Sequence, residues 1–432
     1  MKTSAKIAAS FLAAVFASFA WERPAATAAP ATIPLCPGLT IVTAVNDKDG
    51  DYESIKTIES VTNAGVRLKY SVERMSHDMF APDKLEKFTL YRTVSQKDLK
   101  TATLYEQQFA TVLPETIPET TAIGTSTAVL NDLKTKGQST LGIFEDYSQD
   151  KETLDRNDHP NVYDNQVVAP ITRVGSGPVK IRVIVNDVPQ DLPAIQAVGD
   201  FEGDKSEFFF LDDPLNPLTL KFRFGIDGIQ PVDPEFAKSV GLPSKVGDKD
   251  VLQVVKITVH CGEAALPTAG PPPGGAGAGA GGGAGGGTGA GGGGAGGAGS
   301  GGGGGGGGAD ALEKALADTG HVDVYSIYFS FNSDVIREES GPTLKEIAEV
   351  MRRHPDWKLG VNGHTDNIGA EQYNLDLSKR RAAAVKQALV ARYTIAAVRL
   401  TTSGFGKSQP KDTNDTLEGR ARNRRVELVK LS

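Results

Sequence analysis

Apolar and polar side chains alternate at period two through much of the N-terminal half. Examples are Val66-Arg67-Leu68-Lys69-Tyr70-Ser71-Val72, Val179-Lys180-Ile181-Arg182-Val183 and Leu218-Thr219-Leu220-Lys221-Phe222-Arg223-Phe224. That period suits strands with one buried and one polar face. Turn formers such as Asp213-Pro214, Asn216-Pro217 and Gly175-Ser176-Gly177-Pro178 separate the runs. The pattern predicts an all-β, sandwich-like domain over residues 36–262. A transmembrane barrel alternates in the same way and stands as the rival. Against it, no Trp lies between residues 36 and 262 to help build aromatic girdles, and the strands carry frequent Asp, Glu and Lys.

Beyond Ala309 the period changes. Residues 325–331 are expected as a strand, 342–353 as a helix with Leu344, Ile347, Ala348 and Met351 on one side, and 358–362 as a second strand. A longer helix is expected over 374–393, with Leu377, Ala384, Val385, Ala388 and Leu389 along its apolar side. Strands near 399–403 and 425–431 complete a β-α-β-α-β plan for residues 310–432.

Between the two patterns, residues 263–309 are rich in Pro and Gly. The 39 residues from Gly270 to Gly308 include 27 glycines and no charged side chain. Such a segment has nothing to pack and too much backbone entropy to lose, so a disordered, flexible linker is expected. Its r.m.s. span as a Gly-rich coil would be about 35 Å, leaving the flanking units free to reorient.

At the N-terminus, Lys2 and Lys6 precede an apolar run over residues 7–20, too short to span a bilayer, which predicts a secretory signal over residues 1–28. Cleavage after Ala20 and after Ala28 both remain open. The first cysteine follows Ile33-Pro34-Leu35 rather than small residues, so no lipid anchor is expected. Export bears on the only two cysteines, Cys36 and Cys261, near the two ends of the β-rich domain. An oxidising compartment predicts a disulfide between them, with two buried free thiols as the alternative.

Charge differs between the halves: residues 36–309 carry 24 basic and 35 acidic side chains, residues 310–432 carry 19 and 17. The acidic N-terminal unit argues against nucleic-acid partners there. Asp47, Asp49 and Asp51 imitate the opening of a calcium loop, but Tyr52 and Ile58 stand where that loop needs glycine and glutamate, so an acidic turn before a strand is expected. Six histidines are scattered along the chain and no nucleophile sits in a recognisable elbow. Neither a metal site, a cofactor nor catalysis is expected.

Several ordered motifs fill residues 320–432: Phe329-Ser330-Phe331-Asn332-Ser333, Gly363-His364-Thr365-Asp366-Asn367-Ile368-Gly369, Asn374-Leu375-Asp376-Leu377-Ser378-Lys379-Arg380-Arg381-Ala382, Gly404-Phe405-Gly406, Gly419-Arg420-Ala421 and Asn423-Arg424-Arg425-Val426-Glu427. This series resembles the OmpA-like peptidoglycan-binding family, found also in peptidoglycan-associated lipoproteins and flagellar stator proteins. The resemblance implies non-covalent grip on the diaminopimelate of the wall's stem peptide, through Asp366 and Arg381. One fixed anion and one fork of donors suit the ammonium and carboxylate at the free end of that amino acid. Taken alone, the pair would be a turn cap and a surface ion pair worth under about 1 kcal/mol; the whole motif carries the binding expectation.

Thr365, His364 and Asn374 join the expected site, while one or more of Asn423, Arg424 and Arg425 are expected to stabilise the last strand and the facing loop, and none of the three is expected as a ligand. Gly363 and Gly369 are expected to let that loop turn around a ligand. The implied setting is the periplasm of a Gram-negative envelope with outer-membrane association. An outer-membrane pore with a wall-binding tail, or an adhesin or assembly domain with an unidentified protein partner, are the alternatives for the β-rich unit.

Overall fold

A computed structural model describes residues 33–46, 51–76, 84–107, 115–144, 166–226, 251–261 and 307–431. The expected signal over residues 1–28, nearly all of the segment 263–309, and Asp47 and Asp49 lie outside the described residues.

The N-terminal unit is mostly strands: β1 (Leu39–Asn46), β2 (Tyr52–Val61), β3 (Gly65–Ser76), β4 (Lys84–Ser95), β5 (Leu104–Tyr105), β6 (Thr120–Thr121), β7 (Gln138–Phe144), β8 (Gln166–Arg173), β9 (Val179–Val185), β10 (Val188–Phe201), β11 (Asp204–Leu211), β12 (Thr219–Arg223) and β13 (Val251–Val259). They follow the order β4-β3-β2-β1-β13-β12-β11-β10-β8-β7-β5-β6, with β9 paired to both β10 and β13. Two short helices, α1 (Gln96–Thr101) and α2 (Thr127–Thr135), start at Ser95 and Ser126, whose side chains accept from the helix backbone. The first two alternating runs lie within β3 and β9 and the third forms β12 over Thr219–Arg223, and the Pro and Gly signals fall between strands.

Most of the buried apolar side chains of these strands gather in one core. Phe208 stacks on Phe222 at 4.3 Å and on Phe210 at 5.7 Å between centroids. The large apolar side chains exposed in this unit, Tyr91, Val168, Val174, Val188 and Leu215, are scattered among the described residues. Cys36 and Cys261 are bonded, with Cα atoms 5.4 Å apart. The bridge stands at the end of the ladder in which Leu39 pairs with Val259.

The C-terminal unit runs α3 (Gly307–Thr319), β14 (His321–Val324), α4 (Gly341–Arg353), β15 (Leu359–His364), α5 (Glu371–Tyr393), β16 (Leu400–Gly406), α6 (Leu417–Asn423) and β17 (Val426–Lys430). Its sheet order is β14-β17-β15-β16. Leu344, Ile347, Ala348 and Met351 of α4 and Val385 and Leu389 of α5 are buried in its core, as the 3.6-residue period predicts. Helices α3 and α6 are additions to the expected plan.

One expected strand is displaced. The first strand is β14, and residues 325–331 are irregular apart from a bridge between Phe329 and Ile336. Four of their backbone donors go to side chains instead of a ladder. Tyr325 N and Ser326 N donate to Asp187 Oδ1 at 2.6 and 2.8 Å, Tyr328 N to Ser340 Oγ at 2.8 Å and Phe331 N to Glu73 Oε2 at 2.8 Å. Asp187 and Glu73 belong to the β-rich unit, so the two units are docked where free reorientation was expected. Asp187 reaches across because it forms, with Asn186, the two-residue turn between β9 and β10, both at positive φ.

Candidate functional site

The candidate site lies where β15 runs into the loop before α5. Three glycines set how closely helix and strands approach. A Cβ on Gly363 would stand 2.2 Å from Ser378 O, one on Gly404 2.4 Å from Lys379 N, and one on Gly406 2.8 Å from Leu375 N. The first turns of α5 therefore rest directly on the β15 and β16 backbone. Gly363 is needed for that contact, not to wrap a ligand, while Gly369 at φ 93° does make the expected turn.

Ser378 accepts from Gly406 N at 2.9 Å and fixes the contact. Asn374 is buried and donates to Ile368 O at 2.9 Å. Thr365 is buried too, its N donating to Gly406 O at 2.9 Å and its hydroxyl to Asp366 O at 3.0 Å. Both therefore shape the loop that carries Asp366, and their side chains point into the protein rather than line the cleft. Asp366 accepts from Ile368 N at 3.0 Å on one oxygen and from Arg424 at 2.6 Å on the other.

A small cleft opens beside this loop, lined by His364, Arg381, Arg424, Arg425, Phe329 and Tyr328 from the C-terminal unit and by Glu53 and Lys256 from the β-rich unit. Arg381 donates Nε to Ser333 O at 2.9 Å and lays its guanidinium over the Phe329 ring at 4.8 Å. No carboxylate is ion-paired with Arg381 among the described residues. Burial and the neighbouring Arg424 charge pull its guanidinium down to about 10, against the pull of Asp366, so it stays charged at neutral pH. The cleft thus offers a charged fork of donors beside the loop that carries Asp366.

Arg424 was expected to support the facing loop, not to line the site. It bridges Asp366 at 2.6 Å and Glu53 at 2.5 Å. Burial works against its charge, but the two carboxylates more than offset this and hold it above the ordinary arginine range. Its motif was visible; its direction depends on Glu53, far away in sequence. Arg425 turns instead to Asp323 at 2.8 Å and Gln409 O at 3.2 Å, bracing the end of the sheet as expected.

His364 is sealed from solvent, stacked on Phe405 with ring centroids 5.2 Å apart, its Nε2 3.5 Å from Glu427. Burial and the Arg425 charge push it down to about 4 despite Glu427. Its folded value lies below its unfolded one, near 6.5, so the folded state holds fewer protons between those limits. Stability should therefore fall as pH drops from about 6.5 to 4, by on the order of 2–3 kcal/mol. Urea unfolding followed by Trp357 fluorescence at pH 7 and 4.5 checks this. The loss should shrink by that amount in His364→Phe, and an equal loss in both proteins would remove the imidazole as its cause.

The OmpA family pattern matches residues 328–424. The chain is 40% identical over 113 residues to outer membrane porin F of Pseudomonas aeruginosa, covering 26% of this chain and 32% of that protein. It is 44% identical over 86 residues to the peptidoglycan-binding protein ArfA of Mycobacterium tuberculosis, covering 20% of this chain and 26% of that one. Among solved structures, the peptidoglycan-associated lipoprotein of Burkholderia pseudomallei is 30% identical, with 24% of this chain and 87% of that one covered and a TM-score of 0.23. The chain spans about a third or less of the first curated relatives it matches. The C-terminal unit is an OmpA-like domain.

Proposed function

We propose that the OmpA-like domain binds peptidoglycan non-covalently and tethers an exported envelope protein to the wall, doing no chemistry. The ligand is the diaminopimelate of the stem peptide: Asp366 takes its ammonium and Arg381 its carboxylate. The observation that carries this reading is the Arg381 guanidinium, charged and without an ion-pair partner among the described residues, in the cleft beside the Asp366 loop. Relatives named for the outer membrane and for peptidoglycan binding support placement in the periplasm with outer-membrane association. The β-rich unit is sandwich-like in this reading, because most of its buried apolar side chains gather in one internal core.

Charge-assisted hydrogen bonds contribute about 1.5–3 kcal/mol each. Asp366→Ala or Arg381→Ala should therefore lower the affinity for purified sacculi at least tenfold, with an unchanged circular dichroism spectrum. Retention of wild-type sedimentation with sacculi by both variants would overturn the assignment.

A further inference from the structure

Period-two alternation gives strands β2, β3 and β13 an outward face, and the sheet register lines those faces up. Ala44 stands opposite Glu53, Val42 opposite both Ile55 and Lys256, and Ile55 opposite Ser71. Every one of these positions meets the OmpA-like domain or neighbours one that does. Asp51 pairs with Arg420, and Glu53 with Arg424. Lys69 reaches Glu338 and Glu339, and Ser71 donates to Glu339 at 2.9 Å. Glu73 accepts from Phe331 N and Ser330 Oγ. Lys256 lies 3.6 Å from Glu53, and His260 3.3 Å from Glu346.

The apolar part of the contact is small: Val42, Ala44, Ile55, Val251 and Val255 cluster with Tyr328, Leu417 and Ala421. Tyr328 Oη and Thr258 Oγ1 share a buried hydrogen bond at 2.8 Å. A face that single-strand patterning assigns to solvent is thus a docking surface, and its partner is the chain's own C-terminal domain.

We infer that this sheet face competes with peptidoglycan for the cleft, Glu53 acting as an internal anion on Arg424, so that the wall is gripped in exchange for release of the β-rich unit. The inference rests on the wall-binding reading. Glu53 puts a carboxylate on Arg424 inside the same cleft that Arg381 lines, where the stem-peptide carboxylate is proposed to bind. With Lys256 it also narrows the cleft from the side of the β-rich unit. The ion pairs that face the cleft are open to competition from a zwitterion that enters it. The 45 residues between Cys261 and Gly307 reach at most about 150 Å, which leaves ample room for the two units to part without leaving the chain.

Competition must be reciprocal: whatever favours the open form raises apparent affinity, and ligand must favour the open form. The test uses the full exported chain, purified sacculi and free meso-diaminopimelate. Glu53→Gln keeps the side-chain shape and removes the charge; it should bind sacculi about tenfold tighter than wild type, and Arg381→Ala added to it should abolish the gain. Asp51→Asn, which loosens the same docking away from the cleft lining, should produce a gain of the same sign. In small-angle X-ray scattering, saturating meso-diaminopimelate should increase the radius of gyration of the wild type.

Wild-type binding with no gain in Glu53→Gln and Asp51→Asn overturns the competition and leaves wall binding standing. A weaker Glu53→Gln makes Glu53 part of a shared site and overturns it equally. Absence of sacculus binding in every protein overturns the wall-binding reading, and the competition with it.

Discussion

Reducing the Cys36–Cys261 bridge should lower the thermal midpoint of the β-rich unit by about 10–20 °C. The bond joins residues 225 apart in sequence. In the chain-entropy account, closing so long a loop in the unfolded chain contributes about 5 kcal/mol as an upper value. For a unit of this size each kcal/mol moves the midpoint by roughly 2–4 °C. The native state has little to lose from the bond, because β1 and β13 already hold their ends together from Leu39–Val259 onward. Most of the effect is therefore expected in the unfolded state. Scanning calorimetry of oxidised and reduced protein, with Cys36→Ser/Cys261→Ser as the permanently open form, measures it. A shift under about 3 °C would mean that the unfolded chain is already compact around this pair.

Legibility in the sequence followed the range of the interactions involved. Helices α4 and α5 were readable because their cores repeat every three or four residues, and the cysteines because export and position constrain them. The starts of α1 and α2 were equally local, at Ser95 with Asp98 three residues on and at Ser126, although the surrounding β pattern drew attention away from them. Helix α3 was hidden by the glycines at its start, yet Ala309, Leu312 and Leu316, which face the core, follow a helical period.

What could not be read locally was decided by partners far along the chain. Residues 325–331 look like a strand until Asp187 and Glu73 take their backbone donors. Likewise, Asn374 and Ser378 share a helix face with Arg381, but Gly363 and Gly404 draw that face onto the sheet. Only Arg381 is left directed at the cleft, while Asn374 and Ser378 hold loop and strand. The docking of the two units was invisible for the same reason: alternating polar residues on β2 and β3 carry no mark distinguishing a solvated face from one facing another domain.

Arg424→Ala should be the most damaging single change at the site, lowering stability by about 2–3 kcal/mol and weakening sacculus binding together. Removing one member of a buried ion pair costs about 3–5 kcal/mol, because a charge is left uncompensated. Here two carboxylates lose their shared partner, but all three side chains retain some exposure, 24% for Arg424 and Glu53 and 13% for Asp366, which moderates the cost. The Arg424 guanidinium and the Lys256 ammonium hold Glu53 near 2 against the effect of burial, and Arg424 supplies the larger part of that hold. Without it, Glu53 faces Asp366 with only Lys256 and Arg381 nearby. Arg424→Lys should recover part of the stability, since an ammonium keeps the charge but cannot span both carboxylates with one planar fork. Glu53→Gln added to Arg424→Ala should be more stable than Arg424→Ala alone, because it removes one of the two stranded charges. A double-mutant cycle by urea unfolding reads this directly, with a coupling of at least about 1 kcal/mol expected. Strictly additive effects would mean that Arg424 and Glu53 do not interact in solution, and the two units would then not share this contact.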